Sequence, residues 1–223
     1  MYEYYYCKLL GSAITEANPT YINKNIQLTN QKSPGHERST EEKTQKCPDY
    51  EPSTYEEIKK ILDYLSPGNN DVFVDLGSGK GRAVFIAGLY DFKRVVGIEV
   101  DKTRAKISRN IHSRLKRKIA PLEIINADAK NITVSDATIY FIFNPFGPET
   151  LQKIIDNIRN SLKINSRHIR IVYFPAVHHY ILEETNWLKI EGTIPLPFRT
   201  YSAHVWGNSF KSGDRIQALD DSI

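Results

Sequence analysis

Asp75, Gly77, Gly79 and Gly81 stand at alternate positions in VFVDLGSGKGRAVFIAG, an acid two residues ahead of three glycines. Glycine lets a backbone turn sharply and approach a ligand with no Cβ in the way, so the stretch reads as a ligand loop. Two phosphate-binding templates fail on it. A dinucleotide fingerprint needs G-x-G-x-x-G, and Arg82 occupies the third glycine position. A P-loop needs G-x-x-x-x-G-K-[ST]; Lys80 follows Gly79, but Val74 and Gly81 fill the first-glycine and hydroxyl positions. Lys80 and Arg82 also fall at an expected helix start, where the macrodipole disfavours cations. A bound carboxylate would relieve that conflict.

The spacing that remains, Asp75 with Gly77-Ser78-Gly79-Lys80-Gly81, is similar to motif one of the class I S-adenosyl-L-methionine-dependent methyltransferases. Two more acids fall in register with it. Glu99 closes the next apolar run about 20 residues on, where such folds hydrogen-bond a ribose diol. Asp128, with Ala129 in NADAKN, closes the third, where the methyltransferase pattern has a polar contact to the adenine amino group. The fourth run ends in Asn144-Pro145-Phe146. Methyl transfer from a sulfonium is already facile, so the protein mainly supplies alignment and dryness, contributions worth roughly 7–11 kcal/mol. A nitrogen nucleophile needs acceptors for its remaining N–H bonds, and an amide, a carbonyl before a stiff proline, and an aromatic wall offer them. The tripeptide is similar to the [DNS]-P-P-[FYW] loop of amino methyltransferases, with one proline missing.

Alternating elements position these residues. Ser53-Thr54-Tyr55-Glu56 reads as a capping box opening a helix whose apolar side is Tyr55, Ile58, Ile61, Leu62 and Leu65. DVFVDL is a short apolar run suited to a strand buried on both faces. A buried helix RAVFIAGLY, a strand RVVGIEV, a polar helix from Lys102 to Lys118, and strands PLEIINA and ATIYFIF follow. Gly147-Pro148-Glu149 opens another helix, with proline in the first turn and an acid at the positive dipole end. HIRIVYF is a fifth strand, AVHHYILEE a helix, and WLKIEGTI with YSAHVWG a closing antiparallel pair. The alternation predicts a doubly wound, Rossmann-like α/β sheet of seven strands with an antiparallel terminal strand.

Taken in order, DYEPSTYEE, FVDLGSGKGRAVFIAG, VVGIEVDKTRAK, INADAKN and FIFNPFGPETLQKI resemble the non-SET histone-lysine methyltransferases of the disruptor-of-telomeric-silencing type. They also resemble small bacterial methyltransferases with an N-P-F loop. The asparagine stands one place nearer the phenylalanine than in the histone enzymes. The resemblance implies that the segment before the first helix, here Tyr50, Glu51 and Thr54, folds over the cofactor. It also implies that a tyrosine from the far end of the chain lines a lysine channel; Tyr201 occupies that place.

Composition bounds the rest. The 223 residues are 40% hydrophobic and 25% charged, ordinary for one globular domain, and no apolar run approaches the ~20 residues of a membrane span. Cys7 and Cys47 have no metal or redox spacing, which fits a reducing, cytoplasmic setting, or a nuclear one in a eukaryote. Residues 1–46 are polar and weakly periodic, so a flexible N-terminal segment is expected ahead of a methyltransferase domain over 47–223. From Lys102 to Lys118 there are eight Lys or Arg and no acid, a solvated face or a footprint for nucleic acid or an acidic protein. The expected function is methyl transfer from S-adenosyl-L-methionine to a nitrogen, a protein lysine first. A nucleic-acid base, a small-molecule amine and a non-catalytic cofactor-binding regulator stand as alternatives.

Overall fold

A computed structural model of the chain describes residues 53–116, 118–143, 146–197 and 199–208. The expected flexible segment 1–46 lies outside them. Helix α1 (Tyr55–Leu65) leads into β1 (Val72–Leu76), α2 (Arg82–Ala87), β2 (Arg94–Glu99), α3 (Lys102–Arg114), β3 (Leu122–Asn126) and β4 (Ile139–Phe143). Then come α4 (Pro148–Ile164), β5 (Arg170–Phe174), α5 (Tyr180–Glu183), β6 (Leu188–Pro195) and β7 (Ser202–Asn208).

The sheet order is β3-β2-β1-β4-β5-β7-β6. Strands β1 to β5 run parallel, and β7 pairs antiparallel with both β5 and β6. Six strands therefore point one way, with the terminal strand reversed and slotted between β5 and the edge. The chain order reverses between β1 and β4, the switch point where open α/β sheets bind ligands beyond their carboxyl ends.

The central strands are mostly apolar because both faces are covered. All five residues of β1 are buried. Phe73 joins a core with α1, α2 and Phe141, whereas Val72, Val74 and Leu76 join the opposite core with Ile154, Ile155 and Ile158 of α4. Phe73, Phe141 and Phe174 stack across β1, β4 and β5 with centroids 5.7 and 5.2 Å apart. The edge strands β3 and β6 are largely exposed or half-buried, β6 burying only Leu188 and Ile194.

Four element boundaries differ from those expected, the first being the RAVFIAGLY helix, which ends at Ala87. The capping box sits one residue later: Thr54 is the cap and Glu57 its reciprocal partner, with the Glu57 N–H donating to Thr54 Oγ1 at 3.2 Å. Helix α3 stops at Arg114 rather than Lys118, because its last buried apolar residue is Ile111 and the chain then turns back toward β3. The expected AVHHYILEE helix contracts to Tyr180–Glu183, since the His178 N–H is taken by the Tyr173 hydroxyl at 3.1 Å.

Candidate functional site

The glycine loop leaves β1 and immediately turns. Gly77 and Ser78 N–H groups both donate to the Ile98 carbonyl at 2.9 Å, tying the loop to β2. Gly77, Gly79 and Gly81 have φ of +87°, +55° and +90°, the left-handed region that side chains avoid. Gly81 carries a second constraint, because a Cβ there would lie 2.4 Å from Ser108 Oγ on α3. The alternation that marked the loop in the sequence is thus a backbone requirement at all three positions.

Glu99 ends β2 beneath this loop. It is 4% exposed; one carboxylate oxygen accepts the Gly79 N–H at 2.7 Å and the other the Asp101 N–H at 2.9 Å. Each oxygen keeps a further lone pair for a hydroxyl donor. Asp75 is buried beside it, and among the described residues no donor reaches its carboxylate. Burial, then the neighbouring Glu99 charge, push its carboxyl up to about 8. Ser78 is buried against Gly97, and Lys80 is half-buried at the loop.

Asp128 follows β3. Its carboxylate accepts the Lys130 N–H at 3.1 Å and meets Lys130 Nζ at 3.2 Å, capping the short 3-10 turn Ala129–Asn131. Ala129 is buried. The ends of β2 and β3 are joined: Ala127 N–H donates to the Glu99 carbonyl at 3.1 Å, and Asn126 Nδ2 donates to the same carbonyl at 2.8 Å. Asp75, the glycine loop, Glu99 and Asp128 therefore converge at the carboxyl ends of three adjacent strands.

Phe146 follows β4 at the same rim and packs, half-buried, on the α4 side of the core. Tyr201 directly precedes β7, which runs antiparallel, so it too belongs to that rim, near the end of β5. Thr54 spends its hydroxyl on the helix cap. Tyr50, Glu51, Asn144 and Pro145 lie outside the described residues.

Two buried charged residues near the site, and a partly buried partner of one of them, were not singled out as site residues from the sequence. Arg82 is 5% exposed; its Nη1 donates to the Ser53 carbonyl at 2.7 Å, its guanidinium lies 5.0 Å from the Tyr55 ring, and Nε and Nη2 have no hydrogen-bond partner among the described residues. Glu57, fully buried, pairs with Arg199. The only local signal for Arg82 was a cation in a helix's first turn, and none marked the Glu57–Arg199 pair.

Solved structures share this architecture. An RNA methyltransferase from Salinibacter ruber, solved with S-adenosyl-L-homocysteine, superposes with a TM-score of 0.51 at 22% identity, covering 76% of this chain and 99% of its own. A TehB-like S-adenosylmethionine-dependent methyltransferase from Corynebacterium glutamicum gives 0.52 at 15% identity, with 71% and 89% covered. An rRNA methylase from Streptococcus thermophilus gives 0.50 at 18%, with 69% and 95% covered. No curated protein sequence matches. The fold and its site define a class I S-adenosyl-L-methionine-dependent methyltransferase. Residues 48–186 match the family described as Histone methylation protein DOT1, and the chain belongs to that family.

The cofactor is S-adenosyl-L-methionine, and the site's chemistry suits it. Three glycines in the loop admit close backbone approach, Glu99 retains acceptor capacity for a diol, and the Arg82 Nε and Nη2 donors at the end of the loop lack hydrogen-bond partners among the described residues. Among the described residues no cluster of three or more metal-ligating side chains occurs, and no helix is long and apolar enough to cross a membrane.

Proposed function

We propose that the chain methylates the ε-amine of a lysine in a protein. The observation that carries the choice of acceptor is the match of residues 48–186 to a family described by histone methylation. S-adenosyl-L-methionine supplies an electrophilic methyl group on a sulfonium; everything else must come from the chain's own residues.

In this reading Glu99 accepts hydrogen bonds from the ribose hydroxyls through the lone pairs left over from Gly79 and Asp101. Asp128 and Ala129 border the adenine, with the Asp128 cap fixing the carboxylate's direction. Asp75 and Lys80, with the backbone of Gly77, Ser78, Gly79 and Gly81, receive the amino-acid end. Tyr50, Glu51 and Thr54 cover it. Asn144, Pro145 and Phe146 form the acceptor wall beyond β4, and Tyr201 borders the same rim from the α1 side at the start of β7. The incoming amine must arrive without its third proton so that its lone pair is available. The Asn144 amide oxygen and the Tyr201 hydroxyl then accept its remaining N–H bonds and aim the lone pair. Alignment of this kind is what methyl transfer requires of a protein.

The cation-rich outer face of α3, with Asp101 capping its first turn, is compatible with a substrate that travels with a polyanion. A labelled methyl group from S-adenosyl-L-methionine, offered to cell lysate, separates the acceptors. Label that survives nuclease, is lost to protease and hydrolyses to methyl-lysine is the expected result. Label lost to nuclease and retained after protease would instead make the acceptor a nucleic-acid base.

A further inference from the structure

Glu57 brings a carboxylate fully into the interior, where an ionised group persists only with partners. One oxygen accepts the Thr54 N–H at 2.7 Å. The other accepts from Arg199 Nε at 2.5 Å, across 142 positions of sequence. Arg199 in turn sets its guanidinium 5.6 Å from the Tyr201 ring centroid.

On the other side of the same turn, the Ser53 carbonyl accepts from Arg82 Nη1, and the Arg82 guanidinium lies over Tyr55. Arg82 is the residue that follows the glycine loop. Glu57 thus stands midway in a line of buried and partly buried contacts. The line runs from the loop through Arg82 and the 53–55 turn, then through Arg199 to Tyr201. The rest of the interface between α1 and the sheet is largely apolar, with one further polar tie at the helix's far end, where Arg170 Nη1 donates to the Leu65 carbonyl at 2.7 Å. A buried ion pair adds direction instead, because replacement by apolar residues is often no less stable.

We infer that Glu57 and Arg199 are positioning residues that couple the cofactor loop to the acceptor rim, so that filling the first orders Tyr201 at the second. This rests on the proposed function, in which the loop holds the cofactor and Tyr201 faces the acceptor. It adds a link between the two halves of the site that neither half requires by itself.

Amide hydrogen exchange of the full chain, with and without saturating S-adenosyl-L-homocysteine, tests the link without knowledge of the methyl acceptor. In the natural protein the product should slow exchange about tenfold at both residues 77–82 and residues 199–202. Glu57→Gln keeps the shape and one oxygen for the Thr54 cap but removes the charge that holds Arg199. It should retain the protection at 77–82 and lose it at 199–202. Arg199→Lys, at a less buried position, should show the same split and carries the test if the Gln variant does not fold. Equal protection of 199–202 in either folded variant and in the natural protein would overturn the coupling, as would a natural protein protected only at 77–82. Absence of protection at 77–82 in the natural protein would refute the cofactor-loop assignment itself, and this inference with it.

Discussion

Replacing Glu99 by Gln should weaken S-adenosyl-L-homocysteine binding about a hundredfold while leaving the fold intact. The magnitude follows from the ribose hydroxyls, which would lose a charged acceptor. Hydrogen bonds to charged groups contribute about 1.5–3 kcal/mol each, roughly twice the neutral value. Two such bonds weakened to neutral ones lose on the order of 3 kcal/mol, or two decades in affinity at about 1.4 kcal/mol per decade. The amide bonds that the carboxylate accepts from Gly79 at 2.7 Å and Asp101 at 2.9 Å are made with and without ligand, so their weakening falls on the loop and not on affinity. Folding is affected less, because the same change removes the charge that helps push the Asp75 carboxyl up. Calorimetry with the ligand and with its 2′-deoxy analogue gives a four-cornered cycle. If Glu99 holds the ribose, the natural protein discriminates the two ligands and the Gln variant discriminates them much less. Losses that simply add, within about 0.5 kcal/mol, would place the ribose elsewhere and reduce Glu99 to a brace for the loop.

Asp75 makes the fold pH-sensitive in a defined direction. Its folded value of about 8 lies above the ordinary 3.8, so the native state holds a proton that the unfolded chain releases between those values. Stability from this group is therefore full below pH 4 and declines up to pH 8, by at most about 1.4 kcal/mol per pH unit. Urea midpoints from pH 5 to 8 should show this slope, and Asp75→Asn should flatten it; an unchanged slope in the variant refutes the assignment. Thr54→Ala should cost about 1 kcal/mol by removing the helix cap, with Thr54→Ser restoring most of it in thermal melts. Asn144→Ala should leave S-adenosyl-L-homocysteine affinity unchanged and lower the methylation rate about a hundredfold. Unimpaired turnover would make Asn144 only a turn residue.

Most of the fold was readable because parallel strands buried on both faces need uninterrupted apolar runs, and VFVDL, RVVGIE, IYFIF and RIVYF supply them. The proposed cofactor half is legible as spacing for a related reason. Its residues fall at fixed offsets from strand ends, so spacing along the chain is spacing along the rim: Asp75, then Glu99, then Asp128. The capping box shows the limit of local pattern. Ser53 with Glu56 and Thr54 with Glu57 are overlapping frames of the same motif, equally good by sequence. What separates them is that Glu57 is the one that reaches Arg199, a contact 142 residues distant. Helix α3 overran in the reading because a run of Lys and Arg carries no apolar period to mark its end, whereas the packed helix ends with its last buried side chains.

The same distinction explains why the acceptor side was harder to read. A cofactor common to many proteins imposes one geometry, and sequence records that geometry as short-range spacing. An acceptor rim is assembled from segments far apart in the chain, in the proposed reading the end of β4 and the start of β7, and nothing local ties Tyr201 to Phe146. The contacts that unite such segments are long-range and polar. In this protein the clearest of them is an ion pair whose carboxylate is wholly buried. Burying a charge costs several kcal/mol before the partner's attraction is counted, and an apolar pair would hold α1 to the sheet without that cost. A position that nevertheless carries Glu opposite Arg is better explained by the direction the pair imposes than by the stability it adds. That direction runs from the cofactor loop to Tyr201.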